Sequence, residues 1–195
     1  MASILKVDTL QKPDGSTPTA ADLGVSVTHD DLPSGSVVQV VSNELTGRVV
    51  YNQQSFGDIG FEATITPKYA DSRILVSIYF GRIQTRQSTG DHGAAIRLLR
   101  NGVDSDLNGA AEGSRPRSLF VVGGWSFNAD HLAGGYGVTG FDNPATTSPV
   151  TYKLQAFNQS SAIPLYINGN ASNTDNGEFY NSRTKAFITL QEIKA

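Results

Sequence analysis

The sequence predicts an all-β protein, an antiparallel jelly-roll-like β-sandwich with an extended N-terminal arm. Two observations carry this prediction. Short apolar stretches with strand-like alternation recur from Ser36 to the end of the chain, separated by Gly, Pro, Asn and Asp at fairly regular spacing. No run rich in Ala, Glu, Lys and Leu is long enough for more than a turn or two of helix. The 195 residues fit one domain with an arm, or at most two small domains, and suffice for a sizeable core.

The first element is the arm, expected over residues 1–35. In "SILKVDTLQK" Ile4, Lys6 and Asp8 share one face of a strand, and Leu5, Val7 and Thr9 share the other. No partner strand follows. Pro13-Asp14-Gly15 is a turn, because Pro sets its own φ and Gly accepts a positive one. Thr17, Pro18 and Gly24 are placed to cap, start and end a short helical turn. "VSVTHDDLPSGS" reads as a linker.

Residues 36–195 are expected to form the head. "SVVQVVS" is its first strand. "GFEATITP" puts Phe61, Ala63 and Ile65 on one face, and "SRILVSIYFGRI" does the same for Ile74, Val76, Ile78 and Phe80. "AAIRLLRNGVDSDL" is a hairpin turning at Asn101-Gly102, the pair favoured where both turn residues need positive φ. "SLFVVGGWSFN" continues the strand series, with Trp125 and Phe127 expected on the core face set by Leu119 and Val121. The run "GGYGVTG" reads as a small-residue loop or a closely packed strand. "SPVTYKLQAF" aligns Val150, Tyr152, Leu154 and Ala156, while "AIPLYING" and "KAFITLQEI" close the domain.

Composition narrows the function. A net charge of −3 argues against a general nucleic-acid binder. The absence of cysteine excludes disulfides and thiol chemistry. The N-terminal apolar residues alternate rather than cluster, unlike a signal peptide or a membrane span. No Gly-x-Ser-x-Gly elbow and no phosphate loop occur, so the chain is expected not to be an enzyme and no cofactor is implied.

Three constellations remain. Asp104, Asp106 and Asn108 in "DSDLNG" match the first half of an EF-hand loop, but Arg115 stands where the bidentate Glu belongs. A polar hairpin loop is the plainer reading. His29, His92 and His131 each adjoin an Asp, without the paired spacing of metal ligands. Trp125, Tyr136 and Phe141, in and after a Gly-rich segment, are candidates for stacking on a sugar face. Six arginines, Arg82, Arg86, Arg97, Arg100, Arg115 and Arg117, make the middle of the chain moderately basic, and solvated faces account for most of them.

The phrases "ILKVDTLQ", "DGSTPTAADLG", "SVVQVV", "ATITPKYADSRILVSIYF", "LRNG", "SPVTYKLQAF" and "ITLQEI" cover most of the chain. Together they resemble small tail-fibre-like or virion structural proteins of marine and cyanobacterial phages. The resemblance implies a structural role in the virion, a sandwich shaped like tumour-necrosis-factor heads, and a homotrimer made in the host cytoplasm. Ile4, Leu5, Val7 and Leu10 would then pair with a neighbouring virion protein by strand addition, and the head would display a surface to a host glycan. Nucleic acid and membrane insertion have no place in this reading. Its competitors are a capsid decoration protein and a carbohydrate-binding sandwich of other origin.

Overall fold

Alternation in the sequence becomes alternation in burial. The computed structural model describes residues 9–19, 22–24, 31–85, 92–124 and 134–195. Its strands are β1 (Val37–Leu45), β2 (Val49–Tyr51), β3 (Gly57–Ile65), β4 (Arg73–Thr85), β5 (His92–Arg100) and β6 (Val103–Asp104). Then come β7 (Phe120–Gly124), β8 (Gly134–Asp142), β9 (Val150–Asn158), β10 (Leu165–Ile167) and β11 (Ala186–Ile193). In β3, β4 and β9 every second residue is buried: Phe61, Ala63 and Ile65; Ile74, Val76, Ile78 and Phe80; Val150, Tyr152, Leu154 and Ala156. Fully burying an aliphatic or aromatic side chain of this kind contributes about 1.5–3 kcal/mol.

Two antiparallel sheets face each other across that core. The first runs β1-β11-β4-β8, with β10 and β2 beside the C-terminal part of β4. The second runs β3-β9-β5, and β5 then pairs with both β6 and β7. Setting aside the short β2, β6 and β10, the chain-order ranks of the strands are 1-8-3-6 in one sheet and 2-7-4-5 in the other. That is the double Greek-key path of a jelly roll. The sandwich is cross-linked by aromatic rings. Phe61 meets Phe80 edge-on at 5.7 Å, Phe80 meets Phe120 at 5.8 Å, and Phe120 stacks on Tyr136 at 5.0 Å.

The turn at Asn101-Gly102 forms as the sequence predicts, with φ of 50° and 84°. Other details differ. In β7 the inward residues are Phe120 and Val122, while Val121 is exposed, so the core face has the opposite parity to the one expected. Residues 119–122 are apolar at both parities, and alternation cannot choose between them. Trp125 and Phe127 lie outside the described residues. The glycine run is strand β8.

The two ends of the head lie together. Gly35 N donates to Lys194 O at 3.0 Å, and Lys194 N donates to Ser36 O at 2.9 Å. The opposite pole holds the β1–β2 turn, Gly81-Arg82 and the segment before β11, because Leu45 pairs with Ala186 and Ala186 with Phe80. The eight residues of β11 separate the poles by about 25 Å.

Candidate functional site

The outward faces of the two sheets differ in charge. Register fixes three rows across the first sheet. They are Phe141-Leu75-Gln191-Val40, Thr139-Ser77-Thr189-Ser42 and Gly137-Tyr79-Phe187-Glu44. Thr139 Oγ1 donates to Ser77 Oγ at 3.2 Å in the middle row. Charge is confined to the margins. The Arg73 guanidinium lies 4.0 Å from the Phe141 ring centre, and Lys185 pairs with Glu44 at 2.7 Å. Glycine in β8 serves this face: a Cβ on Gly137 would stand 3.4 Å from the Tyr79 ring, and one on Gly135 3.3 Å from its hydroxyl. Tyr79 therefore lies along β8.

The second sheet presents an ionic lattice instead. Lys153 Nζ sits 3.2 Å from Asp58 and 3.1 Å from Glu62. Hydrogen bonds to Glu62 and Asp58 raise the Lys153 pKa, and a bond from Gln155 lowers that of Asp58. Arg97 donates to Gln155 at 2.7 Å. This is a face fitted for water.

A cleft opens at the pole opposite residues 35 and 194. Here β4 passes from pairing with β11 to pairing with β10. On its other side Phe80 pairs with Tyr136 and Ile83 with Gly134, so Gly81 and Arg82 together oppose Gly135 alone. This is a β-bulge, which breaks the alternation and re-aims a side chain. Gly81 is needed there: its Cβ would stand 2.8 Å from Thr184 Cβ and 3.0 Å from the Lys185 carbonyl. Arg82 is only 8% exposed. Its Nη1 donates to Tyr180 O at 2.7 Å, while Nε and Nη2 have no partner. Burial, and then the charge of Arg183, lower its pKa. The cleft has a volume of about 230 Å³ and is lined by Arg82, Gly134, Gly135, Phe179, Tyr180 and Thr184.

Two more arginines stand at this pole. Arg48 Nε donates to Asn170 O at 3.0 Å and its guanidinium lies 4.8 Å from the Tyr166 ring centre. Arg183 donates to Asn173 Oδ1. Among the described residues neither they nor Arg82 takes part in an ion pair.

The residues singled out in the sequence scatter. Tyr136 points into the sandwich against Phe120, which removes its ring from ligand stacking. Phe141 is outward, 44% exposed, on the first sheet. Asp104 accepts from Arg97 at 3.5 Å, and Asp106 faces Arg117 at 3.8 Å. Asn108 is buried, accepting from Leu98 N at 2.9 Å and donating to Leu98 O at 2.8 Å. Its amide thus mends the β5 ladder rather than offering an oxygen to a metal. No group of three His, Cys, Asp or Glu side chains suited to a metal occurs among the described residues. Ile4, Leu5, Val7, Trp125, His29 and His131 lie outside the described residues, as does the side chain of His92. Leu10 is exposed, and Lys12 pairs with Asp22 at 2.7 Å within the arm. Sequence reasoning counted Arg82 among six arginines accounted for mostly by solvated faces, whereas it is buried. Its signal was the switch from even-numbered core residues ending at Phe80 to odd-numbered Ile83.

No family model matches the chain, and no curated protein matches it. Among solved structures it is similar to dimeric latent PorU from Porphyromonas gingivalis, at 9% identity and a TM-score of 0.33. The match covers 83% of this chain and 14% of that one, and at this TM-score it bears on no functional question. No helix among the described residues is long and apolar enough to cross a membrane.

Proposed function

We propose that the protein is a bacteriophage virion structural protein of the tail-fibre or receptor-binding type. Residues 1–35 attach it to a neighbouring virion protein, and residues 36–195 form a homotrimeric sandwich head. It binds, and carries out no chemical step.

The observation that carries this reading is the outer face of the first sheet, which is uncharged in its middle row and charged only at its margins. Copies meeting there bury Leu75, Tyr79, Phe141 and Phe187 without opposing like charges, whereas the second sheet would force its ion pairs out of water. The number three, and the virion, come from the resemblance of the sequence to phage structural proteins. The polarity of the head agrees with attachment and display: the chain enters beside Lys194, and the Arg82 cleft opens at the other pole.

Light scattering on the full chain tests the assembly, with a mass of three chains expected. Particles made with a chain lacking residues 1–35 test attachment. The head is expected to fold and assemble but to be missing from particles. A monomeric full chain, or normal incorporation without the arm, overturns the corresponding half. The capsid decoration alternative is separated by where the protein lies, on heads or on tails.

A further inference from the structure

We propose that Asn176 is a site of spontaneous modification, at which the protein converts its own side-chain amide to aspartate and isoaspartate. The inference does not depend on what the protein binds.

Asparagine followed by glycine is the pair most open to this chemistry. The backbone nitrogen of the following residue attacks the side-chain Cγ, and glycine has no side chain to obstruct it. A bond forms between that nitrogen and Cγ, the Cγ–Nδ2 bond breaks, and ammonia leaves with the proton that the backbone nitrogen gives up. Water then opens the cyclic imide at either carbonyl. One opening gives aspartate; the other routes the main chain through the side chain and gives isoaspartate. Nothing is oxidised or reduced. The chain holds four such pairs, at Asn101, Asn108, Asn168 and Asn176.

The fold locks three of them. Asn101 and Asn168 have left-handed backbone, with φ of 50° and 61°. In that conformation the next nitrogen stands across the Cα–C bond from the side chain, so the ring cannot close until the turn is undone. The Arg100–Val103 pairing and the bond from Thr151 N to Asn101 Oδ1 at 2.8 Å hold the first of these turns shut. Asn168 is fully buried, and its amide donates to Leu45 O at 2.6 Å and Gly47 O at 3.2 Å. Asn108 is buried with its amide bonded to both Leu98 backbone groups, and Gly109 N donates to Ser118 O at 3.0 Å.

Asn176 escapes these restraints. It is exposed, lies outside every helix and strand, and does not have left-handed backbone. Among the described residues neither its Nδ2 nor Gly177 N donates a hydrogen bond. Its Oδ1 instead accepts from Asn181 Nδ2 at 2.6 Å and from Glu178 N at 3.2 Å. Two donors on that oxygen stabilise the negative charge that builds there as the nitrogen adds to Cγ. The same bond to Asn181 fastens the short 3₁₀ turn Phe179–Asn181, which carries the exposed Phe179 ring. Modification therefore puts a new carboxylate between Asp175 and Glu178, and isoaspartate lengthens the backbone just ahead of that turn.

Mass spectrometry of peptides from the full chain, aged in mildly alkaline heavy-oxygen water, tests this. Asn176 is expected to convert first, with one heavy oxygen in a mixture of aspartate and isoaspartate. Asn101, Asn108 and Asn168 should react at least about tenfold more slowly, because each needs local opening. In urea the four pairs should react at similar rates. Gly177→Ala, whose Cβ would meet nothing within 4 Å, should slow Asn176 and leave the melting temperature unchanged. The site is overturned if Asn176 in the folded chain reacts no faster than the other three, or stays intact while the unfolded chain reacts. An unchanged rate in Gly177→Ala overturns it too. If urea leaves the four rates as unequal as they are in the folded chain, sequence and not the fold selects the site, and the inference fails.

Discussion

The Tyr152 hydroxyl donates to Asp142 Oδ2 at 2.6 Å, tying β9 of one sheet to β8 of the other. Arg100, on β5, donates to the second carboxylate oxygen at 2.7 Å. Asp142 is buried, and these two donors give its charge a reason to remain there. Burial, followed by the bond to Asp142, raises the Tyr152 pKa, so the phenol keeps its proton throughout the ordinary range. Tyr152→Phe removes one donor and no volume from the core. We expect a loss of about 1–3 kcal/mol, read as a lower urea midpoint with unchanged slope.

Acid sensitivity is expected from Glu192. This side chain is buried on β11, where burial alone would raise its pKa. Amide donors from Lys68 and Tyr69, with the side chain of Gln39, outweigh that effect and the pKa is lowered. A depressed folded value means that the stabilisation is complete above the unfolded glutamate range and is lost as pH falls through the folded pKa. Urea midpoints should therefore drop below about pH 4.5. Glu192→Gln should be less stable at pH 7 and show a smaller drop, whereas an equal drop in both proteins would remove Glu192 as its source.

Asn108 is expected to matter for folding and not for metal. Its amide sits in the gap between β6 and β7, where Leu98 has no strand partner on that side. Asn108→Ala leaves the Leu98 N–H unpaired and should cost about 1–3 kcal/mol by denaturant titration. Chelator or added calcium should leave the melting temperature of the wild-type chain unchanged. A rise with calcium that Asp104→Asn abolishes would restore the metal reading.

The middle row of the first sheet offers a test of assembly that spares the core. Ser77→Arg places a charge at the centre of the uncharged face, opposite Thr139 and Thr189. The variant should fold with near-normal thermal stability of the monomer and scatter light as a single chain. The matching change Thr64→Arg, on the ionic face of the second sheet, should leave the mass as it was.

Much of the fold was legible because strands buried on one side write their partition at period two. Ile74 to Phe80 and Val150 to Ala156 show it plainly, and so does the Asn-Gly turn at residue 101. Three things hid from that reading. Residues 119–122 are apolar on both sides, so β7 could be placed but not oriented. The short β2 and β10 carry too few residues to show a period. The Arg82 cleft depends on a bulge, whose only trace in its own stretch is the change of parity between Phe80 and Ile83 and whose place is defined by the partner strand. Tyr136 was open to a better reading, since from residue 135 to 139 Tyr136 and Val138 alternate with Gly135, Gly137 and Thr139.

On the proposed reading, in which the arm attaches the head and the far pole displays it, tension between virion and host would run along β1. That strand lies antiparallel to β11 and is bonded to it from Val37 to Leu45. A pull on Ser36 directed away from the cleft loads those hydrogen bonds in shear, all sharing the force, instead of unzipping them one after another. The jelly roll would then resist being peeled from its own tether, and the weaker link under load would be the contact between the proposed attachment arm and its partner.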